Sequence, residues 1–123
     1  MLIDENKPFY SVVQVAELLG ISADRLRTYD EEYLVAPSRE KNNKRLYSQL
    51  DIEWLQNLRK LISKNKMNIF AFKIVLTMLY NMSDNEFDKI LRSEKDEVWS
   101  VLNEMKQNPN YEKLKNYYHP VTY

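Results

Sequence analysis

The stretch YSVVQVAELLGISADRLRTYDEEYLVAPSREKNNKRLY, residues 10–47, decides the fold of this chain. It begins with an S-x-x-Q capping box at Ser11 and Gln14, followed by apolar residues at the i, i+3, i+4, i+7 spacing of one helix face. Those apolar residues are Val12, Val15, Ala16 and Leu19. Gly20, the only glycine, predicts a left-handed end to this helix, and Ser22 can cap a second one, ADRLRTYD. Two short helices joined by a three-residue turn predict a helix-turn-helix, whose second helix enters a DNA major groove.

The residues after the second helix predict a basic hairpin, here called the wing (residues 34–47). Asn42 and Asn43 at its tip tolerate the positive φ that a tight turn requires. From Arg39 to Lys66 there are eight basic and three acidic residues, a net charge of +5, whereas residues 80–123 carry a net −2. This asymmetry favours a protein with one side that faces nucleic acid. On charge alone, the alternative is a basic loop that is merely solvated.

The same residues resemble the DNA-binding end of the MerR family of bacterial transcription regulators. The resemblance rests on the GIS turn at 20–22, L-R-x-Y-D at 26–30, L-V-x-P-x-R at 34–39, R-L-Y-S at 45–48 and D-I-x-x-L at 51–55. Within the family, the small size and the PSR…N…RLYS wing are most similar to the heat-shock repressor branch. The resemblance implies a mainly α fold with three regions. These are a winged helix-turn-helix DNA-binding domain over 9–79, a helical dimerisation region over 80–108 and a C-terminal tail over 109–123.

We expect DNA contacts from the second helix and from the wing. Arg27 matches an arginine that is nearly universal in the family, so the resemblance implies a phosphate or base-edge contact; an arginine can hold two acceptors, as on guanine. Thr28 is suited to a thymine methyl or a phosphate, and Tyr29 is expected to be partly buried. For Arg25 the alternative is a role as a surface ion-pair partner near Asp24. The predicted DNA-binding residues are Ala23, Asp24, Arg25, Arg27, Thr28, Tyr29, Arg39, Lys41, Lys44, Arg45 and Tyr47.

Three residues depart from the family pattern. Tyr33 stands where the family usually has glycine, so either the turn differs or burial of the ring offsets a left-handed strain of about 1–2 kcal/mol. Glu31 occupies a position that is often basic, which weakens the field toward DNA. Trp54 widens the core stripe of Leu58 and Leu61, or it makes a contact under the wing or with a partner protein.

Four further helices are predicted after the wing. Three of the expected caps are followed three residues later by an acidic residue: Ser48 with Asp51, Ser83 with Glu86, and Ser93 with Asp96. The fourth, Asn68, is followed by an apolar stripe. Asn108-Pro109-Asn110 is expected to end the last helix, so residues 111–123 are predicted to form a loose tail.

Apolar residues in this second half repeat at near-heptad spacing, with an interruption at Glu94 and Lys95. The predicted dimerisation residues are Phe87, Ile90, Leu91, Val98, Val101, Leu102 and Met105. One interpretation is an antiparallel coiled coil that pairs two copies, which the family resemblance implies. The other is an amphipathic helix that folds back on its own domain.

Other classes of chemistry find little support in the sequence. The chain has no cysteine, which excludes disulfides and thiolate metal sites, and its single glycine excludes a glycine-rich phosphate loop. His119 is the only histidine and is expected to be solvated. We therefore expect neither an enzyme nor a cofactor. Met1 to Ile3 are followed at once by Asp4 and Glu5, and no apolar run approaches the roughly 20 residues that span a bilayer, so a cytoplasmic protein with no membrane partner is expected.

These patterns predict a dimeric regulator that binds double-stranded DNA at an inverted repeat. The heat-shock branch implies a repressor of stress and chaperone genes, with a chaperone as a candidate co-regulator. The first alternative is an excisionase-like or architectural DNA-binding factor. The second is a protein-interaction adaptor whose wing has lost its DNA role.

Overall fold

A computed structural model describes residues 4–118 of the 123-residue chain, so His119 and the last residues of the predicted tail lie outside the described part. The elements are β1 (Tyr10–Ser11), α1 (Val12–Leu19), α2 (Ala23–Glu31), β2 (Ser38–Arg39), β3 (Arg45–Tyr47), α3 (Gln49–Arg59), α4 (Ile69–Tyr80), α5 (Asp84–Ser93), α6 (Glu97–Lys106) and α7 (Pro109–Tyr118). A π-helical segment, Lys60–Lys64, continues α3. The mainly α fold class is confirmed. Of the helices between residues 4 and 118, none combines the length and apolarity that a bilayer crossing needs.

The chain divides into two compact units within α3: the first ends at Gln56 and the second begins at Asn57. The boundary predicted between residues 79 and 80 therefore lies inside the second unit. The predicted regions 9–79 and 80–108 stay predictions.

The start and end of α1 follow the predicted local signals. The Ser11 amide donates to Gln14 Oε1 at 2.9 Å, and the Gln14 amide donates to Ser11 Oγ at 3.2 Å, which completes the capping box. Gly20 ends the helix with φ of 70°. A Cβ added at Gly20 would meet nothing within 4 Å, so glycine is required there for its backbone conformation and not for space.

The strands form one antiparallel sheet in the order β1-β3-β2. Tyr10 pairs with Tyr47, and Arg39 pairs with Arg45 across the wing. Tyr10 lies in β1, immediately before the helix α1 that Ser11 caps. Successive side chains in a strand point to opposite faces of the sheet. Arg45 and Tyr47 therefore share one face of β3, and Leu46 lies on the other.

The core of the first unit is built from both helices of the helix-turn-helix and from the chain that follows. Its largest fully buried side chains include Trp54, Tyr29 and Tyr47. Trp54 is 0% exposed, and its Nε1 donates to the Leu34 carbonyl oxygen at 2.6 Å. The core role of Trp54 is confirmed, and a contact of its ring with a partner protein is excluded because no ring surface is available.

Three helix starts after the wing match their predicted caps. Ser48 and Asp51 bond each other's amides at 2.9 and 3.0 Å, the Asn68 side chain accepts from the Ala71 amide at 2.7 Å, and Ser83 forms a capping box with Glu86. The hydrogen bonds from Ser83 lower the pKa of the Glu86 carboxyl.

The predicted start of α6 is wrong in one detail. Asp96 caps α6 through the Val98 amide at 2.9 Å, whereas Ser93 is the last residue of α5. The Ser93 hydroxyl donates to the Lys89 carbonyl oxygen at 3.0 Å, the backward bond that serine makes inside helices.

The prediction of a loose tail from residue 111 is wrong as far as Tyr118, because Pro109–Tyr118 form α7. Proline is tolerated at the first helical position, because the amide N–H that it lacks would have no hydrogen-bond partner within the helix. The Asn108 side chain accepts from the Asn110 amide at 2.9 Å, and Leu114 is buried. Asn108-Pro109 is therefore a start signal in this chain and not a stop.

The predicted near-heptad repeat from Phe87 to Met105 is divided between two helices, α5 and α6. Glu94 is extended, with φ −96° and ψ 134°, so no single helix carries the heptad spacing from α5 into α6. Phe87, Val101, Leu102 and Met105 are buried within their own unit, where α6 packs on α5 and α7. Ile90, Leu91 and Val98 are only partly covered. This burial agrees with the fold-back alternative, and the dimerisation role of these seven residues stays a prediction.

Candidate nucleic-acid interface

The second helix of the helix-turn-helix presents one polar face outward. Ser22 Oγ accepts from the Arg25 amide at 3.0 Å and fixes the start of α2. Leu26 and Tyr29 bury the opposite face, with 0% and 1% of their surface exposed. The predicted DNA-binding residues on the outward side are Ala23, Asp24, Arg25, Arg27 and Thr28, of which Ala23 and Arg27 are partly covered. Tyr29 is buried, more deeply than the sequence predicted.

Arg27 has an acidic neighbour on its own helix. Its Nη1 lies 2.9 Å from Asp24 Oδ1, and the two side chains are 42% and 95% exposed. Ion pairs at such exposure contribute little to stability, so Arg27 can exchange Asp24 for a phosphate or a base at small cost. The alternative considered for Arg25 was an ion pair on the surface near Asp24, and in the structure Asp24 pairs with Arg27. The Thr28 hydroxyl donates to the Asp24 carbonyl oxygen at 3.0 Å.

The wing tip is a tight turn with a left-handed residue. Asn43 has φ of 64°, and its amide donates to the Glu40 carbonyl oxygen at 2.8 Å. The Glu40 amide donates to the Lys44 carbonyl oxygen at 2.9 Å, which closes the hairpin. This local structure leaves the side chains of Lys41 and Lys44 exposed at the tip. The predicted turn at Asn42-Asn43 is confirmed.

A single carboxylate ties the wing to α2. Arg39 Nη2 lies 2.5 Å from Asp30 Oδ2, and Arg45 Nε donates to the same oxygen. The side chains of Arg45 and Asp30 are only 15% and 11% exposed, and Arg45 Nη2 also lies 3.6 Å from Glu31 Oε1. Arg39 Nη1 reaches the Asn43 side-chain oxygen at 3.2 Å. We call Asp30, Arg39 and Arg45 the wing clamp.

The wing clamp gives two predicted DNA-binding residues, Arg39 and Arg45, a partner within the protein, and their contacts with DNA stay predictions. Arg45 is paired and largely covered, so it acts on the position of the wing, and Arg39 shares its guanidinium between the clamp and the tip. Sequence reasoning missed Asp30. The available signal was an acidic residue at the end of the second helix, followed by two arginines on opposite strands of the hairpin.

Tyr47 also lies away from the surface. It is 0% exposed, and its hydroxyl is the one buried side-chain polar atom between residues 4 and 118 without a hydrogen-bond partner. Burial, followed by the nearby Asp30 carboxylate, raises the pKa of the Tyr47 phenol well above its usual range. A neutral, buried phenol fits a packing role for Tyr47.

A cleft of about 400 Å³ opens between the first turn of α1, α2 and the wing. It is lined by Ser11, Val12, Val13, Arg27, Asn43, Lys44 and Arg45. Arg27 from α2 and Lys44 from the wing thus share one opening with the N-terminal end of a helix, where the helix dipole is positive. Cations and helix N-termini together form the usual setting for a phosphate group. Among residues 4–118, no group of three or more His, Cys, Asp or Glu side chains could hold a metal ion.

Two helices joined by a tight turn and followed by a basic hairpin define a winged helix-turn-helix module. A family model described as MerR HTH family regulatory protein matches residues 10–79, more than half of the chain. The chain belongs to the MerR family of DNA-binding transcriptional regulators. This assignment agrees with the resemblance carried by the five sequence pieces.

Individual relatives agree with this family. The HTH-type transcriptional regulators GlnR of Bacillus anthracis and Bacillus cereus are 33% identical over 102 residues, covering 72% of this chain and 78% of theirs. The heat shock protein HspR of Streptomyces coelicolor is 32% identical over 76 residues, 62% of this chain and 50% of that protein. Among solved structures, HiNmlR, a MerR family regulator that lacks the sensor domain and is bound to promoter DNA, has a TM-score of 0.45 and 25% identity, covering 88% of this chain and 80% of that one.

Proposed function

We propose that this chain is a sequence-specific regulator that binds an inverted repeat as a dimer and represses stress or heat-shock genes, chaperone genes among them. The observation that carries DNA binding is the cleft where Arg27 and Lys44, from two different elements, meet the start of α1. Neutralising phosphates with such cations releases counterions and supplies most of the affinity for DNA.

The exposed residues divide between two tasks in this proposal. On α2, Ala23, Asp24, Arg25, Arg27 and Thr28 face outward and are placed to meet base edges. At the wing tip, Lys41 and Lys44 meet phosphates or the minor groove. Arg39, Arg45, Tyr29 and Tyr47 serve the same surface from behind, by holding α2 and the wing in their relative positions.

The heat-shock assignment is the finer part of the proposal. It is supported by the PSR…N…RLYS wing sequence and by the likeness to HspR, which extends over half of that protein. A chaperone that binds the regulator and sets its activity fits this assignment. The GlnR proteins match over a larger share of both chains, so the target genes need a direct test.

Genome-wide occupancy tests the choice of target genes. We expect occupied sites upstream of chaperone genes. Occupancy confined to other promoters would remove the heat-shock assignment and leave DNA binding intact. A purified protein that shifts no DNA at all would instead favour the adaptor function, and sites confined to the ends of mobile elements would favour an excisionase-like factor.

The first test of the surface is the salt dependence of binding. Each phosphate contact contributes about 0.9 to the slope of log affinity against log salt concentration, so Lys44→Ala should weaken binding to all sequences and lower that slope by about one. Lys95→Ala, an exposed lysine outside the winged module, is the matched control and should leave the slope unchanged. Equal slopes for all three proteins would show that the wing tip does not contact DNA.

The second test concerns Arg27. Arg27→Ala should cost roughly 1–3 kcal/mol of binding free energy on the preferred site and relax discrimination at one base position. The measurement is a competition between the preferred site and its single-base variants. If affinity falls equally for every variant, Arg27 contacts phosphate and positions the protein without reading a base.

A further inference from the structure

A cavity of about 150 Å³ lies in the second unit, where the ends of α4 and α6 meet the start of α5 and the helix α7. None of the residues that line it is a predicted DNA-binding or dimerisation residue. Its polar lining consists of two lysines, two acidic residues and two tyrosines: Lys106, Lys115, Asp84, Glu112, Tyr80 and Tyr111. Convergent polar groups beside aromatic surface are the usual setting for a small ligand.

Lys106 brings a covered positive charge to this cavity. Its side chain is only 12% exposed, and its Nζ lies 4.0 Å from the centre of the Phe87 ring. Between residues 4 and 118, the ion-pair partner of this ammonium group is Asp84, whose Oδ1 is 3.7 Å away, longer than a hydrogen bond, and whose side chain is 98% exposed. A covered charge normally has hydrogen bonds of its own. The Lys106 ammonium group is therefore placed to donate to an acceptor that enters the cavity.

The N-terminal end of α5 borders the same cavity. Ser83 caps this helix, and its first residue, Asp84, lines the cavity. Amides in the first turn lack partners within the helix, and the helix dipole is positive at this end. A covered lysine and a helix N-terminus at one opening together favour a carboxylate or a phosphate group.

The charges of the lining distinguish between these two kinds of ligand. Lys106 and Lys115 are balanced by the exposed carboxylates of Asp84 and Glu112, so the four side chains carry no net charge. A phosphate ion would bring a full negative charge next to both carboxylates, and like charges repel. A zwitterion instead offers a carboxylate to the lysines and an ammonium group to the acids, which matches both signs.

We propose that this cavity binds a small free α-amino acid, whose carboxylate accepts from Lys106 and whose ammonium group lies near Glu112. Glu112 takes the ammonium group because Asp84 already contacts Lys106. Pockets for drug-sized ligands measure about 300–1,000 Å³, so a cavity of this volume fits a smaller molecule. Tyr80 and Tyr111, whose rings stack with centroids 4.3 Å apart, offer apolar surface to its carbon atoms. Such a ligand gives the protein a small-molecule signal, independently of how the first unit binds DNA.

Ligand binding to the full chain without DNA tests the proposal. In a thermal-shift assay with the common α-amino acids, added one at a time, at least one should raise the melting temperature, and calorimetric titration should give one site per chain. Lys106→Met keeps an apolar contact with Phe87 and should weaken binding of that amino acid by about 10-fold or more, as expected when a hydrogen bond to a charged group is lost. Lys113→Met, exposed on α7 outside the cavity, is the matched control and should bind as wild type does. Binding of no amino acid, or equal affinity of Lys106→Met and wild type, overturns the proposal.

Ligand analogues separate a zwitterion site from a general anion site. The probes are the best amino acid, the same compound without its amino group, and inorganic phosphate. Glu112→Gln should weaken the amino acid and leave the deaminated acid unaffected, since only the amino acid has an ammonium group to lose its partner. Glu112 is exposed, so this variant keeps the proposal falsifiable if Lys106→Met is poorly folded. Equal affinity of wild type for the amino acid and the deaminated acid, or tighter binding of phosphate, overturns the amino-acid assignment. Since no DNA is present, every one of these results leaves the proposed DNA-binding function untouched.

Discussion

At the scale of single residues, Asp30 ties both strands of the wing to α2 at the proposed DNA-binding surface. One of its oxygens receives both Arg39 and Arg45, from the two strands of the wing. Charge-assisted hydrogen bonds of this kind are about twice as strong as neutral ones, and the low exposure of Asp30 and Arg45 limits screening by solvent. The clamp therefore couples the stability of the first unit to the position of the wing.

A double-mutant cycle tests this coupling. Asp30→Ala should lower the free energy of unfolding by about 1.5–3 kcal/mol, because it leaves the covered Arg45 with only the exposed Glu31, 3.6 Å away, as an acidic partner. Adding Arg45→Met should recover part of the loss, since the second change removes the poorly compensated charge. The measurement is urea unfolding of wild type, both single variants and the double variant. Strict additivity would show that the pair does not act as a unit.

Tyr33 adopts a left-handed backbone conformation although its side chain is about half exposed. Its φ is 59°, as the family glycine would require, yet its surface is 46% exposed. The suggestion that burial of the ring compensates the strain is therefore wrong, and the turn itself is the expected one. Tyr33→Gly should stabilise the chain by about 0.5–1 kcal/mol. This is the free energy gained by relieving the left-handed strain, minus the larger loss of backbone entropy that glycine suffers on folding.

The control for this prediction is Tyr33→Ala, which removes the ring and keeps the Cβ. Alanine should give no stabilisation, because the strain comes from the Cβ. Thermal unfolding of the three proteins decides between backbone and side chain. Equal gains from glycine and alanine would mean that the ring, and not the backbone, is the unfavourable feature.

At the scale of elements, α7 is tied to α4 by tyrosines. The Tyr80 hydroxyl donates to the Tyr111 carbonyl oxygen at 2.5 Å, and the two rings stack with centroids 4.3 Å apart. Burial raises the pKa of the Tyr80 phenol far above its ordinary 10.0, and burial raises the pKa of Tyr111 to about 12. Both phenols are thus held neutral in the folded chain over a pH range where an unfolded chain would ionise them.

The sign of the resulting pH dependence follows from proton linkage. Because the folded pKa values are raised, the unfolded state releases these protons first, and stability falls as pH rises above about 10. Urea unfolding at pH 8, 10 and 11 should show this loss. Tyr111→Phe should flatten the alkaline decline, whereas Tyr117→Phe, which removes the hydroxyl of an exposed side chain on the same helix, should retain the wild-type curve. A decline that Tyr111→Phe leaves unchanged would contradict the assignment.

Elements with local signals could be predicted from the sequence, and elements that depend on distant contacts could not. The capping boxes at Ser11 and Ser83 and the left-handed Gly20 and Asn43 are each decided within four residues, and all were predicted. The strand β1 needed its pairing with β3, and the wing clamp needed Asp30 to meet a hairpin nine and fifteen residues away. Helix α7 was missed because Asn-Pro was taken as a stop, and only the burial of Leu114 marks it as a start.

At the scale of the whole molecule, the distribution of charge along the chain is more informative about DNA binding than the net charge. The net charge is 0, and the basic excess lies in the wing and the helix that follows it. Part of that positive charge is paired within the protein, since Arg39 and Arg45 both contact Asp30 in the wing clamp. Arg25, Arg27, Lys41 and Lys44 are left as the principal cations of the surface. With so few cations available for phosphate contacts, a single module is expected to bind DNA weakly, so the proposed pairing of two modules should be decisive for affinity.

Pairing of two modules is expected to set the affinity of the protein for a full inverted repeat. A tethered second module binds at an effective concentration set by the dimer, which can raise overall affinity by 10²–10⁴ without any new contact. If the exposed apolar face of α4 takes part in the proposed pairing, Ile74→Glu should lower affinity for a full inverted repeat by about 10²-fold or more, because it places a charge at a residue 46% exposed on that face. Affinity for an isolated half-site should fall by less than about two-fold, because no residue of the proposed DNA-binding surface is changed. The measurement is fluorescence anisotropy on two labelled duplexes, one with both half-sites and one with a single half-site, and the control is Leu18→Glu, at a residue 59% exposed in the first unit. Equal losses on the two duplexes would mean that Ile74→Glu damages the winged module itself. No loss on either would mean that the two modules do not cooperate through α4.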